Sequence, residues 1–358
     1  MRSRPMDEHR PCPRVEIHQL ARYCSAVFAA AGVEAREAAE VAHALVWAEA
    51  KGVVSHGLRL LPIYVRRFQA GLVRSPAPLR PVREGPCWVV LDGGAGFGPV
   101  LGTLAVDEVA RRARSGGLGA VWVRNATHFG AAGYYAWQIA SLGMIGCALC
   151  NAAPAMTVWG AREVSIGTNP IALAAPGGDG TPVLLDIATS VVSRQTVNLA
   201  RERGTRIPLG WALDAEGRPT DLPERAAMLL PFGAYKGSGL AIFVEILCGL
   251  VGGACSRHEI GRLAYDFDRP EGVGHFYLAI DLGQVSELTS YRQRMRQMMQ
   301  AIHDLRPAEG VDRVLLPGER EFATEAMHLR DGLPLDPSVA EQVFAVGDAL
   351  GVPRPALA

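Results

Sequence analysis

Five short apolar runs constrain this chain most: WVVLD at 88–92, GAVWVR at 119–124, MIGCALC at 144–150, PVLLD at 182–186 and HFYLAID at 275–281. Each is rich in β-branched or aromatic residues and bounded by turn residues, the pattern of a strand. Between them TLAVDEVARRARSG (103–116) and AAGYYAWQIASLG (131–143) carry helical spacing and end at glycine. Strands alternating with helices must bury a sheet beneath those helices, so the middle of the chain reads as an α/β layer.

The two ends read differently. VEIHQLARYCSAVFAAAGV (15–33) and EAREAAEVAHALVWAEAKG (34–52) are alanine-rich helices broken at AGVE, and Pro-bearing RSPAPLRPVREGP (74–86) reads as a linker. From residue 286 helical spacing returns, with Leu288, Tyr291, Met295, Met298 and Ile302 on one face, read as core. SVAEQVFAVGDALG (338–351) opens on a Ser338–Glu341 capping box, closes at Gly351 and stripes Val339, Val343, Val346 and Leu350. The expected organisation is therefore a disordered extension over 1–14, a discontinuous helical domain over 15–75 and 286–358, and an α/β domain over 76–285.

Composition excludes several classes. Lys plus Arg equals Asp plus Glu at 36 each, leaving no field to concentrate nucleic acid or an anionic membrane. No apolar run approaches the ~18 residues of a membrane span, and the charged start MRSRPMDEHRPCPR lacks the core of a signal peptide, so a cytoplasmic protein is expected. Seven scattered cysteines argue against a disulfide framework. Cys147 and Cys150 form a CxxC without a second Cys/His pair, which reads as buried thiols; no metal is expected.

Four stretches could carry chemistry. In SHGLRLLPIYVRRF, His56 follows a helix end, where an imidazole of ordinary pKa near ~6.5 can exchange a proton at neutral pH. Ser55 either caps the next helix or orients that ring. Arg59, three residues on, could clamp a carboxylate; Arg66 and Arg67 read as solvated. In NATHFGAAGYYA, His128 stands between a strand and a helix among small residues, either as a satisfied core histidine or as a substrate contact. Asp186 ends the strand PVLLD, either exposed there or serving as a relay partner for His56 or an acceptor for a cofactor. In PFGAYKGSGLAIFVEILCGLVGG, glycines around Lys236 precede an apolar helix from about Gly239, a construction suited to an anion. The dinucleotide fingerprint GxGxxG fails: DGGAGFGPVLG places Pro99 at its third glycine, and no acidic residue follows at the required spacing.

In order along the chain, SHG (55–57), DGGAGFG (92–98), THFGAAGYY (127–135), GTNPIA (167–172), LDIATS (185–190), FGAYKGSGLA (232–241), GHFYLAID (274–281) and LPGE (316–319) resemble the malate/L-lactate dehydrogenase family of the second type. The resemblance implies a non-Rossmann α/β cofactor domain facing a helical domain built from both termini, a cofactor that is NAD or NADP, and a homodimer. It implies that His56 is the acid/base and that His128 lies at the reaction site. Asn151, Ala152, the GTNP residues Gly167, Thr168, Asn169 and Pro170, the segment Asp186, Ile187 and Ala188, then Tyr235, Lys236, Pro317, Gly318 and Glu319 are implied at the cofactor. Three departures stand out: Leu60 where the family commonly has arginine, with Arg59 one position earlier; Tyr235 where many members have histidine; and SRQT (193–196) in place of an Arg-Gly-Lys pattern.

The expected reaction moves a hydride between nicotinamide and C2 of a small 2-oxo or 2-hydroxy acid. His56 as imidazolium would protonate the forming alkoxide, with Ser55 and Asp186 as relay or orienting groups, Arg59 on the carboxylate and His128 on the carbonyl. The alternatives are reduction of a cyclic imine and a catalytically silent dinucleotide-binding homologue. Arg201, Arg203 and Arg206 either meet a 2′-phosphate or form a solvated turn.

Overall fold

Alanine and leucine at helical spacing give the chain its opening layer in the computed structural model, which describes residues 13–357. The expected extension lies outside the described residues as far as residue 12. Arg14 instead begins a strand. In chain order the first elements are β1 (Arg14–Val15), α1 (Ile17–Ala30), α2 (Ala35–Ala50) and α3 (Leu61–Gln69). The mixed middle runs β2 (Arg80–Glu84), β3 (Trp88–Asp92), α4 (Gly98–Gly116), β4 (Leu118–Ala126), α5 (Ala132–Ser141), β5 (Met144–Cys150), β6 (Ile171–Ala175) and β7 (Val183–Ile187). It continues with α6 (Arg194–Glu202), β8 (Ala212–Leu213), β9 (Pro219–Thr220), β10 (Met228–Leu229), α7 (Tyr235–Glu245) and β11 (Val273–Asp281). The single turn α8 (Leu282–Val285), then α9 (Leu288–His303), α10 (Glu319–Asp331), β12 (Leu333–Pro334) and α11 (Pro337–Ala349) complete it.

One seven-stranded sheet, ordered β2-β3-β4-β11-β5-β6-β7, organises the middle. Only β3 and β4 run parallel as neighbours, and α4 supplies the long crossover a parallel pair needs. β11 lies antiparallel to both β4 and β5, filling the slot between them. Alternation sorts the side chains: Val121, Val123, Tyr277 and Ala279 face the core under α4 and α5, while Trp122 and Phe276 pack with Val244 and Cys248 on the other face. A second core joins both ends of the chain, with Leu20, Val27, Phe28 and Leu45 meeting Leu333, Val339, Val343 and Phe344. A third, around Met156, Ile166, Val197 and Leu229, supports α6 and the small sheet β10-β8-β9.

Several expectations need correction. The 74–86 linker contains β2, an edge strand whose five residues are all exposed and whose Pro81 is tolerated because an edge leaves one row of backbone groups unpaired. α11 is capped by Asp336, whose carboxylate accepts from Ser338 N and Val339 N at 2.9 and 3.3 Å, and not by Ser338. Pro337 at the first helical position moves the start two residues earlier. On α9 only Met295 is buried, while Leu288 and Met298 are 40% and 47% exposed. That helix rests on the 176–178 turn through Tyr291 and Arg296, outside the core shared by the termini.

Candidate active site

The glutamate at the end of α2 builds the first half of the site. Glu49 accepts Leu58 N–H at 2.8 Å, and the Cβ that Gly57 lacks would collide with its carboxylate. Burial pushes the Glu49 carboxyl up to about 7, with the Leu58 N–H and Arg59 pulling the other way. Gly57 is thus the residue that lets the 55–58 turn close on Glu49, and the turn aims His56 into a cleft. Ser55 Oγ lies 2.8 Å from His56 Nδ1 and caps no helix, so of its two sequence readings the ring-orienting one is observed.

The glycine-rich run 92–98 builds the second half. Asp92 ties it down through Gly94 N (3.0 Å), Asn125 Nδ2 (3.1 Å) and Arg124. Gly98 opens α4 directly against the Thr127 and His128 carbonyls, where any Cβ would clash with backbone. His128 is thereby presented beside His56: the rings stack at 5.7 Å between centroids and 10° between planes.

Hydrogen bonding fixes the state of His128. Its Nδ1 lies 3.2 Å from Gly130 N–H and 2.8 Å from the Tyr64 hydroxyl. A backbone N–H can only donate, so Nδ1 is the acceptor and the proton of the neutral ring sits on Nε2. Burial, with His56, His275 and Arg67 nearby, lowers His128 to about 3, and burial lowers His56 to about 4. Both shifts favour the neutral imidazole in the free protein. Tyr64→Phe removes one anchor of the ring, and a typical hydrogen bond of about 1 kcal/mol corresponds to a roughly 5- to 10-fold loss of turnover. Side-chain ¹⁵N NMR of His128 should register the change; an unaltered spectrum and rate would show Tyr64 to be idle.

Glu271 closes the network from the far side. Its carboxylate accepts His128 N–H at 3.3 Å and lies 3.5 Å from Arg67 Nε. Burial pushes this carboxyl up to about 7, with Arg67 and the His128 N–H opposing. Arg67, expected to be solvated, has 0% exposure: its guanidinium also donates to the carbonyls of Leu263, Asp266 and Arg269, pinning the 263–269 loop over the cleft. Tyr64, Arg67 and Glu271 were not selected from sequence. Tyr64 lies on α3, past the turn that carries His56, and no local signal in the sequence marks it or Glu271.

The cleft is about 1500 Å³ and is lined by Ser55, His56, His128, Asn151, Ala152, Thr168, Pro170, Asp186, Ile187, Ala188, Pro317 and Gly318 among the expected residues. Asp186 is exposed at the end of β7, as one of its two sequence readings had it, and the protein packed around its carboxyl pushes that group up to about 6. It accepts Gly133 N–H at 2.8 Å at the start of α5 and makes no direct hydrogen bond to either imidazole.

Six expected residues stand outside the lining. Arg59 turns to Glu202 (4.0 Å) and Asp336 (3.7 Å). Gly167 and Asn169 lie behind the wall, Asn169 accepting Ala152 N–H at 3.0 Å and donating to Glu245 at 2.9 Å. Tyr235 and Lys236 are exposed, because α7 begins at Tyr235 and not near Gly239. Glu319 accepts Leu316 N–H at 3.0 Å and meets His303 at 2.7 Å, closing the 316–319 turn. The thiols of Cys147 and Cys150 are raised by burial, Cys147 to about 12. Among the described residues no helix is long and apolar enough to cross a membrane, and no cluster of three His, Cys, Asp or Glu could hold a metal.

Residues 15–343 match the family model for malate/L-lactate dehydrogenase. Malate dehydrogenase of Pyrococcus abyssi is 35% identical over 350 residues, covering 95% of each chain. Among solved structures, sulfolactate dehydrogenase from Methanocaldococcus jannaschii superposes with a TM-score of 0.88 at 31% identity, covering 95% of this chain and 98% of that one. Malate dehydrogenase from Entamoeba histolytica gives 0.91 at 27% identity, over 96% and 99%.

Proposed function

Because the chain belongs to the malate/L-lactate dehydrogenase family, we propose that it is an NAD(P)-dependent oxidoreductase interconverting a small 2-hydroxy acid and its 2-oxo acid, with His56 and His128 at the reacting carbon. The stacked pair of neutral imidazoles in one cleft carries this reading.

The cleft fits the cofactor. Its volume exceeds the roughly 300–1,000 Å³ of an ordinary small-ligand pocket, leaving room for a dinucleotide and a small acid together. Gly318, at φ +90°, sits so close to Leu184 that a side chain there would clash, and Gly133 does the same beside Asp186. The wall is accordingly thin backbone and small side chains, suited to a flat ring. Ala152, Pro170, Ile187, Ala188, Pro317 and Gly318 would hold the cofactor, with Asp186 as hydrogen-bond acceptor. When bound, the cofactor supplies or takes up the hydride.

The chain's own residues manage one proton and one developing charge. In oxidation, neutral His56 accepts the hydroxyl proton while Ser55 Oγ holds the ring at Nδ1. His128, with its proton on Nε2, donates to the same oxygen and stabilises the charge that builds there. In reduction, an entering substrate carboxylate favours the imidazolium of His56, which returns the proton.

The decisive assay is a panel of 2-oxo acids and cyclic imino acids with NADH and NADPH, following nicotinamide absorbance. Reduction of oxo acids alone is the expected result. Turnover of imines alone would establish the cyclic-imine reading, and cofactor binding without any turnover the silent one. An exposed apolar strip on and after α7, with Phe243 66% and Leu250 64% exposed, supports assembly as a homodimer.

A further inference from the structure

The helical wall of the cleft is apolar beside the two imidazoles. Leu60 follows His56 by four residues, and Ile63 adjoins Tyr64, whose hydroxyl holds His128. Leu263 reaches the same cleft from the loop pinned by Arg67. Cations elsewhere in the lining are already engaged: Lys51 by Glu325, Arg262 by Asp266 at 2.8 Å, Arg320 by Glu321 at 2.9 Å, and Arg194 by the carbonyls of Ala155, Ala226 and Ala227. A second carboxylate on the substrate would meet hydrocarbon there, and an anion left unpaired in such surroundings is strongly disfavoured.

Arg201 differs from these cations. Among the described residues it is the lining cation with no carboxylate partner and a single carbonyl contact, to Pro223 at 3.4 Å. It lies on α6 with Arg194 and Asn198 at helical spacing, so the three share the face turned to the cleft. Its neighbour Glu202 is the residue that Arg59 approaches at 4.0 Å, which ties this end of α6 to the turn carrying His56.

We propose that the substrate is a monoanionic 2-hydroxy or 2-oxo acid with an apolar side chain, the side chain packing on Leu60, Ile63 and Leu263 and the single carboxylate held by Arg201. This rests on the oxidoreductase reading above and narrows it. A single methylene in an apolar pocket changes kcat/KM roughly 10–200-fold, so 2-oxo-4-methylpentanoate should exceed oxaloacetate and 3-sulfopyruvate by ~100-fold or more. Arg201→Met, a change at an exposed position, should raise KM for the branched oxo acid ~10–100-fold with kcat within about threefold, since a uniform binding contact is lost. Ile63→Ala should reduce the preference by ~10-fold or more.

Fluorescence titration with NADH and NADPH separates the two anions Arg201 could meet. Unchanged Kd values for both in Arg201→Met accompany the proposed role; a weakened NADPH complex with unchanged KM would assign the arginine to a cofactor phosphate and overturn it. Equal or better turnover of oxaloacetate would overturn the apolar side-chain assignment while leaving the oxidoreductase reading standing. Failure to reduce any oxo acid would remove both.

Discussion

Replacing His56 with alanine lowers turnover of the hydroxy acid by ~10²–10⁴, the usual worth of a positioned general base, while circular dichroism and reduced-cofactor fluorescence stay at their wild-type values. The prediction has a second arm in pH. Burial holds His56 near 4, so its neutral, proton-accepting form persists above that value and is lost as pH falls through it. With saturating oxidised cofactor, kcat/KM for oxidation should therefore keep its plateau through pH 6.5 and decline only toward pH 4. The positive charge of the oxidised nicotinamide acts in the same direction, because it repels a second cation. The alanine variant should lack that limb. Wild-type turnover in the variant, or a limb at 6.5 in the native protein, would take the proton away from this residue.

Arg67→Ala has the largest expected effect on stability. The side chain is wholly buried, faces Glu271 at 3.5 Å and donates to three carbonyls. Removing one partner of such a pair leaves a buried carboxylate uncompensated, which costs about 3–5 kcal/mol. Chemical denaturation would show an unfolding free energy lowered by that amount, and limited proteolysis should cut within 263–269. The double variant Arg67→Met with Glu271→Gln should lose less than Arg67→Ala alone, since it removes both charges together. A denaturation midpoint for Arg67→Ala equal to the wild type would mean that neither the pair nor the loop anchor matters.

What the sequence made legible was whatever has a local signature. The strands at 88–92, 119–124 and 144–150 carry period-two or continuous apolar runs, and they form where expected. β2 was hidden because Pro81 and the charged residues around it mask an edge strand whose partner lies across a three-residue connection, Gly85 to Cys87. His56, Ser55 and His128 were readable from small-residue motifs at element ends, and the cleft contains all three. The fate of Arg59 was not readable, since Glu202 and Asp336, which draw it aside, are 143 and 277 positions away. Arg67 shows the same limit from the other side. Beside Arg66, which lies over Phe267, it looks like half of a solvated pair, and only the returning 263–271 segment buries it. The surroundings of Asn169 were unreadable for a third reason: its amide bonds Ala152, Ala241 and Glu245 behind the wall, the last two more than 70 positions away.

The position of β11 sets the order in which the molecule can come together. β4 and β5 are made more than a hundred residues before the strand that joins them, so a growing chain carries two unpaired strand borders until residue 281 has emerged. Glu271 and Val273, which complete the wall around His128, arrive only with that strand. Cofactor-binding competence and closure of the sheet should consequently appear in one kinetic step during refolding, and fragments ending before residue 273 should associate through those open borders instead of remaining monomeric.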